Sequence, residues 1–279
     1  MNNPHLGSFA GLSGLALHTE SAPDYNPIEI LRAFPDDDRV CHGFVGRSGG
    51  VSRGPFASLN LSYWVGDERA NVDSNWERLR REVPALRAVA RINQVHGNEV
   101  HVVTRETIAD RPRGDGIVTA DPGVILGIFS ADCVPILMVD PKRKIAGAFH
   151  AGWRGVIADI ATAGVAAMTK LGAHASDLRY ALGPSIGPCC FEVDEDLAAR
   201  FRGEISGAQN HITAGRAGKA YIDLRATVTD QLARTTGKMA TAGRIVGPCT
   251  KCASDRFFSR RAASGNTTGL QLSFVGFPD

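Results

Sequence analysis

A chain of 279 residues is long enough to bury one sizeable core, and a formal net charge of +2, with 22% charged and 43% hydrophobic residues, excludes the basic excess that would make nucleic acid or an anionic membrane the main partner. No apolar run approaches the ~20 residues of a membrane span, and the N-terminus lacks a basic flank followed by an apolar stretch, so a cytoplasmic protein acting on small ligands is expected. Six cysteines without regular spacing fit a reducing compartment, where thiols bind metal or catalyse rather than crosslink.

In chain order, residues 1–38 mix Gly, Ser, Asn and Pro and close on Asp36-Asp37-Asp38. They read as a variable leader before one catalytic domain, 39–279. Residues 40–45 predict a strand running into a glycine-rich loop that carries Arg47 and Arg53, followed by Ser58-Leu59-Asn60-Leu61. Val72, Trp76, Leu79 and Val83 mark one face of a helix that stops at Pro84. A short strand over 100–103 and a turn at Gly114-Asp115-Gly116 lead into three apolar runs, 124–129, 134–139 and 145–149, the last two joined by a polar turn at 140–144. After His150, the turn Ala151-Gly152-Trp153-Arg154-Gly155 opens a single helical pattern through Leu171. A strand over 177–182, a rigid Gly/Pro loop over 183–193, helices around 195–201 and 224–232 and a last strand over 270–275 complete the chain. No internal repeat interrupts this order.

Three residues concentrate the chemistry: His96, Cys133 and His150, each at the end of a strand-like run beside glycine or a small residue. Two imidazoles and one thiolate suit zinc with an open fourth position, where a bound water has a pKa of roughly 7. A competing reading makes Cys133 a nucleophile with His150 as its base and Asp132 or another acid as orienter, the arrangement of an amidase or hydrolase. The bland reading is a small buried cysteine. The turn at 151–155 offers backbone N–H groups at a helix start beside Arg154, which suits phosphate. Trp153 either stacks on a base or caps the core. The CxxC at Cys249 and Cys252 and the adjacent pair Cys189-Cys190 are weak metal signals and read as packing or ligand wall. Arg256-Phe257-Phe258-Ser259-Arg260-Arg261 defaults to a solvated basic edge, although its phenylalanines argue for burial.

Several motifs in one order resemble the YfiH or laccase-domain family: His42-Gly43-Phe44 with Arg47, Ser58-Leu59-Asn60-Leu61, Gln94-Val95-His96-Gly97, Asp115-Gly116-Ile117-Val118-Thr119, Ala131-Asp132-Cys133-Val134-Pro135, Phe149-His150-Ala151-Gly152-Trp153-Arg154-Gly155, Gly183-Pro184-Ser185-Ile186-Gly187 and Arg256-Phe257-Phe258-Ser259. The resemblance covers roughly residues 40–276. It implies a single α/β (α+β) domain with two mixed sheets layered between helices, an α/β/β/α sandwich, and a zinc site on His96, Cys133 and His150. Purine nucleosides and phosphate are its implied partners; a monomer is expected, and charge and hydropathy leave out nucleic acid and membrane. Family members are described as phosphorylases of adenosine, inosine, guanosine and methylthioadenosine that also deaminate adenosine. An older label is copper polyphenol oxidase, with Cu2+ in place of Zn2+, and another is an enzyme editing cell-wall precursors. Carried onto this sequence, Cys133, Asp132, Arg47 and Arg154 are the expected catalytic residues, and Arg47, Asn60, Gly152, Trp153 and Arg154 the expected substrate contacts. Arg47, Arg154 and the glycine turns would hold phosphate, and Asp132 or another local acid would move protons during deamination. Multicopper oxidation is poorly supported, because the chain has 8 histidines and none two apart. The family's usual Thr-Gly-Arg reads Thr268-Gly269-Leu270 here, so one arginine contact is missing or replaced.

Overall fold

Strands that are apolar at every position must be covered on both faces, and the three central runs are of this kind. In the computed structural model, which describes residues 26–237 and 243–279, β6 (Ile125–Ser130), β7 (Val134–Asp140) and β8 (Ile145–Ala151) are buried along their whole length. β7 and β8 lie at the centre of a six-stranded sheet in the order β13-β9-β7-β8-β5-β4, completed by β4 (Val100–Val102), β5 (Gly116–Thr119), β9 (Arg179–Leu182) and β13 (Gly243–Ile245). β6 belongs to a second sheet, β1-β2-β14-β6-β3, with β1 (Ile30–Leu31), β2 (Cys41–Val45), β3 (Val89–Arg91) and β14 (Gln271–Gly276).

The two sheets face each other. Leu137 and Val139 of β7 and Ala146 and Ala148 of β8 pack with Leu126 and Ile128 of β6, Phe44 of β2 and Val275 of β14. The two-residue alternation of a strand sends Val134, Ile136 and Met138 to the other side, onto α3 (Ile160–Lys170) and α5 (Leu224–Thr236). On the far side of the second sheet, Val72, Trp76 and Leu79 of α1 (Arg69–Glu82) meet Ile125, Phe129, Leu272 and Phe274. Helix, sheet, sheet and helix follow in turn, the expected α/β/β/α sandwich.

Several details differ from the sequence reading. The single helix expected after His150 is two, α2 (Trp153–Ile157) and α3, because Asp159 takes a left-handed φ of 57° and caps α3 by accepting from Thr162 N at 3.2 Å. A small third sheet, β10 (Glu192–Asp194), β12 (Lys219–Ile222) and β11 (Ile212–Ala214), had no clear apolar signature. α4 (Glu195–Glu204) leads out of β10. Of the expected leader, residues 1–25 lie outside the described residues. Its remaining part is built into the sandwich: Ile30 and Leu31 pair with Val45 and Phe44, and Ala33 and Phe34 are buried. No described helix is long and apolar enough to cross a membrane.

Candidate functional site

Residues 131–133 carry the chain from β6 in one sheet to β7 in the other, so Cys133 stands where the sandwich is stitched together. His150, on β8, lies across from Pro135 of β7. His96 comes from the loop after β3, at a φ of 63°. The three side chains converge: the Sγ of Cys133 and one ring nitrogen of each histidine lie within 4.8 Å of one another, and the two imidazoles stand edge to face at 85° with centroids 4.8 Å apart. Two imidazoles and a thiolate at this spacing could hold one metal ion.

Asp115, fully buried, assembles this triad. Its Oδ1 accepts from His96 N at 2.9 Å and meets His150 Nδ1 at 2.8 Å, and its Oδ2 accepts from Val95 N at 3.1 Å and Gly97 N at 2.7 Å. One carboxylate therefore holds the left-handed turn at His96 and turns the other nitrogen of His150 toward Cys133, the usual way a metal-facing histidine is oriented. Burial raises the Asp115 carboxyl, but the His150 and backbone hydrogen bonds bring it below the ordinary range. Burial likewise raises the Cys133 thiol, yet the charge of His150 and hydrogen bonds from both histidines outweigh it and bring it down to about 6. Burial lowers His150, and the Cys133 thiolate and Asp115 overcome that and hold it up at about 9. A thiolate beside an imidazolium results, poised to exchange its proton for a metal.

Gly152 closes the floor. A Cβ there would stand 2.9 Å from His96 Cδ2 and 3.1 Å from Cys133 Sγ, so only glycine leaves the triad room. Above it opens a cavity of ≈ 480 Å³, reached by His96, Cys133 and His150 and walled by Trp64, Phe129, Leu270 and Arg260. That is the size of a small-molecule site. Trp64 stands edge-on to Phe129 with centroids 6.4 Å apart, and the Arg111 guanidinium lies 4.8 Å over its ring.

The other expected site residues are placed differently. Asp132, at a φ of 95°, uses Oδ1 to accept from Thr250 Oγ1 at 2.6 Å and Oδ2 to accept from Arg261 N at 2.7 Å. Both oxygens thus brace the Cys133 loop, and Asp132 is not among the residues that line the cavity. Arg47 is turned away from the cavity: its guanidinium donates to the carbonyls of Ala57 and Ser254 and lies 4.6 Å over the Phe258 ring, fastening the glycine-rich loop. Asn60 is buried and spends its amide on Ser62, Asp67 and Leu270 N, thereby setting two cavity-wall residues, Ser62 and Leu270. Trp153 packs against the helical core under Arg154, 4.1 Å from its ring, and neither lines the cavity.

Three participants escaped the sequence reading. Asp115 stood inside a recognised motif, but only the fold puts its carboxylate behind both histidines. Trp64 falls out of step with the alternation Leu59, Leu61, Tyr63 and Val65, and nothing in that short pattern marks it as a cavity wall. Arg260 was hidden in the basic run, which splits: Phe257 and Phe258 are buried, Arg261 donates to the carbonyls of Cys190 and Glu192, and Arg260 stays exposed at the cavity.

A family model described as multi-copper polyphenol oxidoreductase laccase matches residues 41–278. The purine nucleoside phosphorylase ORF3 of Streptomyces griseus is 37% identical over 248 residues, 88% of this chain and 97% of that protein. A purine nucleoside phosphorylase of Deinococcus radiodurans is 37% identical over 245 residues, 86% of this chain and 90% of that one. Among solved structures, the YlmD protein of Geobacillus stearothermophilus superposes with a TM-score of 0.82 at 34% identity, covering 88% of this chain and 94% of its own. The Bacillus licheniformis hypothetical protein YfiH gives 0.83 at 28% identity, covering 91% and 100%.

Proposed function

The chain belongs to the multi-copper polyphenol oxidoreductase laccase family, and from that premise we propose that it is a zinc-dependent purine nucleoside phosphorylase acting on adenosine, inosine, guanosine and methylthioadenosine. The observation that carries the reading is the cavity itself: the His96, Cys133 and His150 ligand atoms form one end, aromatic faces the wall, and an arginine the remaining side. Trp64 and Phe129 offer apolar faces to a purine ring. Ser130 Oγ lines the same cavity and is buried without a hydrogen-bond partner among the described residues, which suits a ribose hydroxyl or ring nitrogen. Arg260, exposed at the cavity, holds phosphate against the anomeric carbon in place of Arg47 and Arg154. A phosphate oxygen then bonds to C1′ as the C1′–N9 bond breaks, and the purine leaves with the electron pair and takes up a proton. Zinc, when bound, supplies a Lewis acid that polarises an oxygen or nitrogen of the substrate. Asp115 keeps His96 and His150 in place for it. Adenosine deamination, with water replacing the 6-amino group, is assigned to the same cavity.

The test is release of free base from these nucleosides by purified protein, with and without phosphate. Base appearing only with phosphate is the expected outcome. Arg260→Ala should raise the KM for phosphate about tenfold or more, the loss of one charge-assisted contact, with a smaller effect on the KM for nucleoside. Equal losses in both would move Arg260 out of the phosphate site, and nucleosides left unchanged would remove the substrate assignment.

One observation favours a second reading. The Cys133 thiol brought down to about 6 beside His150 held up at about 9 is also the pair of a nucleophilic cysteine hydrolase acting on cell-wall precursors. A covalent intermediate on Cys133, trapped with a peptide-linked sugar precursor in metal-stripped protein, would select it.

A further inference from the structure

A second group of potential ligands lies apart from the cavity. Cys189 and Cys190 sit in the loop between β9 and β10, Cys249 and Cys252 in the segment after β13, and Cys252 is 63 and 62 positions from Cys189 and Cys190 along the chain. Their four sulfurs nevertheless lie within 4.8 Å of one another. Cys252 Sγ is 3.6 Å from Cys189 Sγ and 3.4 Å from Cys190 Sγ. A tetrahedral ion with metal–sulfur bonds of ~2.3 Å needs sulfurs about 3.8 Å apart, so the observed spacing is that of a ligand cage. It is far from the ~2.05 Å of a disulfide.

Adjacent cysteines ordinarily point apart, and the local backbone overcomes this. Cys190 N and Phe191 N both donate to Gly187 O, at 3.0 and 2.9 Å, closing a tight turn that brings both sulfurs to the Cys252 side. The Cys249 segment is bridged to the same loop through Ser185, whose carbonyl accepts from Thr250 N at 3.0 Å. Backbone N–H groups of Gly187, Lys251 and Cys252 point at the Cys249 sulfur, overcoming burial and bringing its thiol down to about 7, whereas burial and the neighbouring thiols push Cys189 and Cys190 up. Packing does not account for the group, since Cys189 and Cys252 are exposed.

We propose that Cys189, Cys190, Cys249 and Cys252 form a second metal site, a thiolate cage for a borderline-soft divalent cation of the zinc class, separate from the cavity centre. Its role is structural. The two loops it joins are those latched to Asp132: Thr250 Oγ1 donates to its carboxylate, Ile186 N to its carbonyl at 2.8 Å, and Arg261 both closes the other carboxylate oxygen through its N–H and reaches Cys190 O. A cation in the cage would fix the backing of the loop that carries Cys133.

Metal content and Co2+ spectra of the full chain, purified anaerobically under reducing conditions, test this. Wild type should hold about two zinc ions per chain, and Cys249→Ser/Cys252→Ser and His96→Ala/His150→Ala about one each. Loaded with Co2+, the His96→Ala/His150→Ala variant, its cage cysteines intact, should show intense thiolate-to-cobalt charge transfer and the visible bands of a tetrahedral ion. The same spectrum is then recorded on wild type, so that the answer does not depend on any variant folding. A wild type holding about one ion per chain, with its Co2+ spectrum explained by a single thiolate, overturns the proposal. So does a mass showing the cage cysteines joined as a disulfide in the reduced preparation.

Discussion

At the residue scale the cavity centre depends on one missing side chain and one proton. Gly152→Ala would set a methyl 2.9 Å from His96 Cδ2 and 3.1 Å from Cys133 Sγ. The fold should survive, since Gly152 has an ordinary φ of −72°, while metal affinity falls about 10–100-fold, as when groups around ligands are disturbed. Competition with a chelator, alongside circular dichroism, measures both. The proton governs stability. Cys133, brought to about 6 from an ordinary 9.0, contributes stability that is complete above pH 9.0 and lost as pH falls through about 6. His150, held at about 9 against 6.5, contributes stability complete below pH 6.5 and lost as pH rises through about 9. Both describe one thiolate–imidazolium pair, so metal-stripped protein should resist urea best between about pH 6 and 9 and lose that advantage in Cys133→Ala. A pH profile identical in the two proteins would remove the pair. His96, Cys133 and His150 were legible in the sequence because each is a chemically distinctive residue at the end of an apolar run. Asp115 and Arg260 were not, because a carboxylate beside a turn and an arginine in a basic run look like any surface charge until the fold aims them.

At the element scale, the helices, the long strands and the short β4 and β9 were legible, whereas several other short strands were not. β6, β7 and β8 are buried on both faces and so carry unbroken apolar runs, and α1 carries its apolar positions at helical spacing. β3, β11 and β13 are three residues each with one polar side chain apiece, too short for a pattern, so their pairing is imposed by neighbours rather than by their own composition. The break between α2 and α3 was invisible because the apolar period continues across it and only the left-handed Asp159 interrupts the helix. α1 offers the sharpest test of an element. Trp76 is 1% exposed and its indole N–H donates to Leu61 O at 2.9 Å, tying the helix to the segment that supplies cavity-wall residues Ser62 and Trp64. Trp76→Ala should cost about 3–5 kcal/mol, read from urea unfolding. A loss below about 1 kcal/mol, the scale of surface changes, would mean that α1 is not held by this contact.

At the scale of the whole molecule, the two sheets share one apolar interior, and the strand that completes the smaller sheet comes late. β14 lies between β2 and β6, pairing Phe274 with both Gly43 and Gly127. A chain cut after residue 269 should therefore lose the sandwich as a unit rather than fray at one edge, with no cooperative transition on heating and rapid proteolysis. A cooperative transition close to the full chain's would show that the smaller sheet closes without it. The order of synthesis gives this arrangement a further meaning. The ribosome delivers β2 and β6 long before β14, so the nascent chain waits with two apolar strands whose common partner is still being translated. Premature pairing of β2 with β6 would shut β14 out, and exposed edges invite other chains. Late ribosomal pausing, or scarcity of a factor that shelters unfinished sheets, would fall hardest on the yield of this protein, however stable it is once residues 271–276 have slid into place.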